Sequence, residues 1–116
     1  MFGIKSDNGY IEVLKGIKIK TLIYGQDTLM SEFIMKKNSK LLEHSHLNEQ
    51  TGYLVYGKIR LSINGDSMLL SPGDSWNIPS NVKHKAEIIE DSLAIEIFSP
   101  RRDDYLKYTN REDIVE

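Results

Sequence analysis

HSHLNEQTGYLVYG, residues His44 to Gly57, carries two of the three histidines in the chain; the third is His84. In an extended strand, residues i and i+2 point to the same face and lie about 6.5–7 Å apart along it. If the start of this stretch is a strand, His44 and His46 can aim their imidazoles at one point. Gln50 follows four residues after His46, near enough for its amide oxygen to turn back to that point. Imidazole nitrogen with an amide or carboxylate oxygen is a borderline-to-hard donor set, suited to one divalent ion of Zn, Fe, Mn, Ni or Co. A lone His-x-His is a weak signal, because exposed or packed histidines also occur at that spacing. What surrounds it decides.

To either side the chain reads as short β-type segments separated by turn signals every eight to twelve residues, the spacing of a sandwich or barrel. Ile17, Ile19, Thr21 and Ile23 alternate with Lys18, Lys20, Leu22 and Tyr24, a period of two. Gly25–Asp27 is a turn, Leu29–Met35 a second strand, and the polar Lys36–Lys40 ends it. TGYLVYG and KIRLSI give strands divided at Gly57. Asn64-Gly65-Asp66 is a strong hairpin signal, since Asn-Gly tolerates the positive φ angles of a two-residue turn. Ser71-Pro72-Gly73-Asp74 makes the next turn. SWNIP, KAEIIE and SLAIEIF complete the series. The residues up to Tyr10 are polar and turn-rich and are expected to be loose. The tail after Pro100 has the composition of a short helix or a frayed end. Met30, Met35 and Met68 are read as core filler. The fold class is all-β.

Composition narrows the function. With 116 residues the chain is long enough for one core and too short for two. A net charge of −2 leaves no broad basic field to hold a nucleic-acid backbone. The absence of cysteine excludes a disulfide framework, a thiolate metal site and a cysteine nucleophile, and fits a reducing compartment. No apolar run approaches membrane-spanning length, and the N-terminus carries no apolar signal segment. A cytoplasmic protein with no membrane partner is expected.

Two motifs give a resemblance. His44-x-His46-x3-Gln50-x6-Gly57 resembles the first motif of the cupin family, and Gly73-x5-Pro79-x-Asn81-x2-His84 resembles the second. The stretch between them, Lys58 to Pro72, holds the two strands and hairpin that the resemblance requires. The implied fold is a single cupin domain over residues 1–116, a jelly-roll double-stranded β-barrel with its core at about 11–100 and a tail at 101–116. The implied cofactor is one divalent metal ion on His44, His46, Gln50 and His84. There are departures. Asn38 and Asn81 stand where glycines are usual, a mild change because Asn also tolerates a left-handed turn. Ile88 stands where Asn is frequent. Glu49 competes with Gln50: it is the better ligand by charge, Gln50 by spacing and by resemblance to a branch in which glutamine ligates. Glu49 is then an outer partner orienting a ligand.

Beyond the metal, the strand SLAIEIF places Leu93, Ile95 and Ile97 on one face and Ala94, Glu96 and Phe98 on the other. Both faces are largely apolar, so Glu96 points either to solvent or into the cavity as an acid or base. IEIFSPRRDDYL also resembles the end of small cupins of pectin and uronate catabolism. That likeness implies Glu96 as the acid–base residue, Phe98 as a pocket wall and Arg102 as a clamp on a substrate carboxylate, with Arg101 the competing choice. A planar guanidinium suits that task because it pairs with a carboxylate in bidentate fashion. Trp76 shares a face with Ile78 and is expected in the core or as a pocket wall.

Three functions fit. The first is ring opening or tautomerisation of an unsaturated uronate or related sugar acid. The second is a cupin dioxygenase or sugar isomerase. The third is a metal- and ligand-binding module without turnover. The resemblance and an N-terminal strand that would leave an edge unpaired both point to a homodimer.

Overall fold

The structure is a computed structural model that describes all 116 residues. Its strands in chain order are β1 (Phe2–Gly3), β2 (Ile11–Leu14), β3 (Ile17–Tyr24), β4 (Leu29–Met35), β5 (Lys40–His44), β6 (Glu49–Ile63), β7 (Asp66–Leu70), β8 (Ser75–Ile78), β9 (His84–Ser99) and β10 (Ile114–Val115). The organising element is an antiparallel ribbon of β6 and β9, paired from Glu49↔Ser99 to Ile63↔His84. Each of these strands changes its outer partner halfway along. β6 pairs β8 through Gln50–Tyr53 and β7 through Ile59–Ile63. β9 pairs β5 through His84–Glu87 and β4 through Ser92–Phe98. β4 continues to β3 and β2. Two sheets therefore share one ribbon and close on a single core that includes Ile17, Ile19, Leu54, Ile59, Ile88 and Phe98. This is the all-β barrel of jelly-roll type.

The ribbon bends at Gly57, where φ is +100° and a Cβ would lie 2.1 Å from Ser92 Oγ. Ser92 Oγ accepts the Lys58 N–H at 3.0 Å and donates to the Glu90 carbonyl at 2.7 Å. The backbone groups released by the bulge are thereby satisfied. TGYLVYG and KIRLSI are thus one kinked strand, and KAEIIE and SLAIEIF are another. A turn signal in a long paired strand produces a bend here, because the ladder on both sides continues. Along β9 the inward residues alternate except at exposed Glu90 beside the bend: His84, Ala86, Ile88, then Ser92, Ala94, Glu96 and Phe98 are buried.

Of three expectations at the surface, two are corrected, and the short helix expected in the tail is found as 3-10 turns. The N-terminal residues are not loose. β1 pairs β10, Lys20 is buried, and its Nζ donates to the carbonyls of Ser6 (3.0 Å) and Asn8 (2.9 Å) and to Asp113 Oδ2 (3.1 Å). Tyr10, just before β2, donates to the Glu32 carboxylate on β4. A lysine at an outward strand position is satisfied only because both chain ends close over it. Second, the tail forms two short 3-10 turns, Asp103–Tyr108 and Arg111–Asp113, followed by β10. The Thr21 hydroxyl docks this tail by donating to the Tyr105 carbonyl at 2.7 Å. Third, Met68 is 64% exposed on β7, which is an edge strand, whereas Met35 is core. No helix is long and apolar enough to cross a membrane.

Candidate metal centre

Strand register brings the histidines together. His44, the last residue of β5, lies directly opposite His84, the first residue of β9, with ring centroids 4.2 Å apart. His46 is not on a strand. It lies in the loop after β5, and its ring centroid is 5.0 Å from that of His84. That loop is tied down by the second motif: Asn81, with φ +64°, donates its N–H to the His46 carbonyl at 2.8 Å. Asn38 likewise takes φ +71°. Both asparagines supply the left-handed backbone for which glycine is usual.

The ring nitrogens show what the cluster is built for. Nδ1 of His44 faces the Leu42 carbonyl at 2.7 Å, that of His46 the Asn48 carbonyl at 2.9 Å, and that of His84 the Val82 carbonyl at 2.9 Å. A carbonyl only accepts, so each Nδ1 carries the hydrogen and each Nε2 is left with a lone pair. The ligand atoms of the three lie within 4.8 Å of one another, and His84 Nε2 is buried without any hydrogen-bond partner. His46 Nε2 sits 3.0 Å from Gln50 Oε1, so two acceptors face each other. Protonating the ring would relieve this. Burial and then the Arg102 charge oppose it, holding His46 below the usual histidine range, while burial pushes His84 down to about 4. A cation resolves the conflict. Two ligands about 2.1 Å from one ion and about 90° apart are themselves about 3.0 Å apart. The His44, His46 and His84 cluster could hold a metal ion, and its donors fit one.

Gln50 and Glu49 point opposite ways, as neighbours on a strand must. Gln50 is buried against the cluster, while Glu49 is exposed and accepts from Asn77 Nδ2 at 2.9 Å. Glu96 faces inward. It is 7% exposed and accepts from Trp76 Nε1 at 3.2 and 3.3 Å, with the Gln50 side chain near enough to favour its charged form. Burial pushes its carboxyl up to about 7 against the opposing pull of those two side chains.

A cavity of about 60 Å³ lies among these groups, with Trp76 and Phe98 in its wall. Arg102 lines it and Arg101 does not. The Arg102 guanidinium stacks 3.8 Å over the Tyr105 ring and reaches Asp104 at 3.3 Å. Arg101 turns away, bonding Asp103 at 2.7 Å and the Gly25 carbonyl at 3.1 Å. Tyr105, overlooked in the sequence, packs edge-on against Phe98 with centroids 5.3 Å apart. Its signal was its place three residues after Arg102, which a 3-10 turn sets on the same side. Outside the cavity a groove of about 980 Å³ shares His44, Arg102 and Tyr105 with it. Lys15, Lys36, Lys37 and Lys40 border that groove, none with a carboxylate within 4.0 Å, against Glu12 and Glu43.

Comparison with known proteins agrees with this geometry. The chain is 29% identical over 105 residues to the pectin degradation protein KdgF of Dickeya dadantii, covering 89% of this chain and 96% of that protein. The structure of KdgF from a Halomonas species superposes with a TM-score of 0.87 at 33% identity, over 91% of this chain and 98% of the other. An RmlC-like cupin from Shewanella frigidimarina superposes with a TM-score of 0.86 at 25% identity, over 90% and 95%. Residues 31–99, which span both histidine-bearing stretches, match the cupin domain family. The chain belongs to that family.

Proposed function

We propose that this cupin is a metal-dependent isomerase that opens and tautomerises the ring of an unsaturated uronate or a closely related sugar acid. The observation that carries the reading is Glu96, a buried carboxyl that lines the same cavity as Gln50, His44 and His84. A buried acid is costly without a task, and a pKa near neutrality suits proton transfer. Similarity to proteins named for pectin degradation supports a uronate, since pectin is a polymer of uronic acid.

A divalent ion held by His44, His46, His84 and Gln50 would supply Lewis acidity, lowering the cost of negative charge on an oxygen brought beside it. In the reaction the hemiacetal hydroxyl at C1 loses its proton and the C1–O5 bond breaks. O5 leaves as an enolate conjugated through C5 to C4, and C4 takes up a proton to give the linear keto acid. Atoms and electrons balance, so no oxidant or second substrate is consumed. Glu96 takes one of these protons and returns another. Arg102 pairs with the uronate carboxylate, Trp76 and Phe98 wall the ring, and the unpaired lysines of the groove favour an anionic ligand.

Loss of the conjugated double bond, followed by ultraviolet absorbance of an unsaturated monouronate, tests the reading; rates no better than buffer with metal-loaded protein would refute it. Arg102→Ala is expected to raise KM by roughly 10- to 100-fold, the worth of a charge-assisted hydrogen-bond pair. Arg101→Ala should stay within about twofold. Equal effects would remove the clamp from Arg102.

We also propose a homodimer. The outward side chains Tyr53, Val55 and Ile97 are exposed on adjacent strands, and β2 is an edge strand bearing exposed Ile11, Val13 and Leu14. Light scattering is expected to give twice the 13.3 kDa chain mass, and a monomeric mass at micromolar concentration would exclude it.

A further inference from the structure

Gly52 stands in the middle of β6, between two partners. On one side it is in register with Trp76 of β8, on the other with Glu96 of β9. All three face the interior. Neighbouring strands are about 4.8 Å apart, so the Trp76 and Glu96 backbones stand about 10 Å from each other across β6. An indole is long enough to cross that gap. Its Nε1 reaches both carboxylate oxygens of Glu96, at 3.2 and 3.3 Å.

The crossing passes over Gly52. A Cβ there would lie 2.1 Å from Trp76 Nε1 and 2.5 Å from Glu96 Oε2. The φ angle of Gly52 is outside the left-handed region, so this glycine is not required by backbone conformation. A glycine inside a strand weakens it, and close approach of other groups is the compensating reason that remains. An indole N–H is a donor only. Shared between two oxygens, it orients the carboxyl plane, and Gln50 lines the same cavity on the side of the histidines.

We infer that Trp76 is a positioning residue for Glu96, and that Gly52 is the gap through which it acts. The indole holds the carboxyl turned toward Gln50 and the histidine cluster, and a side chain at position 52 would break the contact. This rests on the reading of Glu96 as the group that moves the proton.

The chain has a single tryptophan and therefore one indole N–H resonance, so the contact can be observed without any turnover. Glu96→Gln replaces an ionisable acceptor by a neutral amide and is expected to shift that resonance upfield; an unmoved signal would overturn the inference. Trp76→Phe keeps an aromatic wall and is expected to keep the metal, while kcat falls about 10- to 100-fold, the effect of a misplaced reacting group. Gly52→Ala should lose the same resonance position and the same kcat, and if it fails to fold, Trp76→Phe still decides. The double variant separates positioning from mere packing. If Trp76 acts through Glu96, Trp76→Phe costs little further kcat once Glu96 is Gln. A full and additive loss in that background would sink the inference. A resonance that moves in Glu96→Gln while the wild type leaves uronates untouched would refute the uronate reading and leave the indole–carboxylate pairing standing.

Discussion

Metal-loaded protein is expected to melt about 10 °C above the metal-free form, and His84→Ala to abolish that difference. A ligand at 100 times its Kd stabilises the folded state by about 2.7 kcal/mol, and in a domain of this size each kcal/mol moves the midpoint by about 4 °C. The effect depends on the cluster because the unfolded chain has no such arrangement of donors. His84 is the residue to remove. Its Nε2 is buried with no partner in the protein, while its Nδ1 is fixed on Val82. Calorimetry with and without added Zn²⁺, Ni²⁺ or Mn²⁺ measures the shift. An undiminished shift in His84→Ala would place the ion elsewhere.

Glu96→Gln is expected to lower turnover by about 100- to 10,000-fold, the usual contribution of a general acid or base, with metal content unchanged. A binding module without turnover would show no such loss. The same variant has a second, independent signature in the metal-free protein. Burial raises the Glu96 carboxyl from 4.5 to about 7. The folded state thus keeps a proton that the unfolded chain has already released. Its contribution to stability is full below about pH 4.5, falls as pH rises toward about 7, and then levels off, a total on the order of 3 kcal/mol at about 1.4 kcal/mol per pH unit. His84 works in the opposite direction: held down to about 4, it contributes stability at neutral pH that is lost as pH falls. Comparing wild type with Glu96→Gln at each pH cancels that histidine contribution. The variant should gain on the wild type between pH 5 and 8 in urea unfolding. A constant difference would mean that Glu96 is ionised at the same pH in folded and unfolded chains.

Much of this molecule was legible beforehand because a strand has only two faces. The period of two along Ile17–Tyr24 and Leu29–Met35, the Asn-Gly hairpin and the two spaced motifs led to a β-barrel with the histidines clustered. The choice between Glu49 and Gln50 was open, although adjacent residues cannot both face the core. Register sets which of them faces inward: Gln50 lies opposite Ile78 and Phe98, both buried, so Glu49 points outward. Glu96 was ambiguous for a related reason. Both faces of SLAIEIF are apolar, and the outer one keeps exposed Ile97 while the inner one buries the acid. The burial of Lys20 was not legible from its strand. A lysine at an outward position reads as solvated, and it is buried by Ser6, Asn8 and Asp113, which lie far from it along the chain.

What the sequence by itself determined was the local order: strand periods, turns, and three histidines with an amide at ligand spacing. The carbonyl that each histidine Nδ1 faces is equally local, only two residues away along the chain. Only the tertiary structure decided which long-range neighbours meet. The pairing of His44 with His84, the indole of Trp76 crossing Gly52 to Glu96, and Arg102 rather than Arg101 over Tyr105 all depend on strand register and on how the tail docks. Periodicity can place a side chain on a face. Which strand lies beside it is set by burial of the whole core, and that is a property of no single segment.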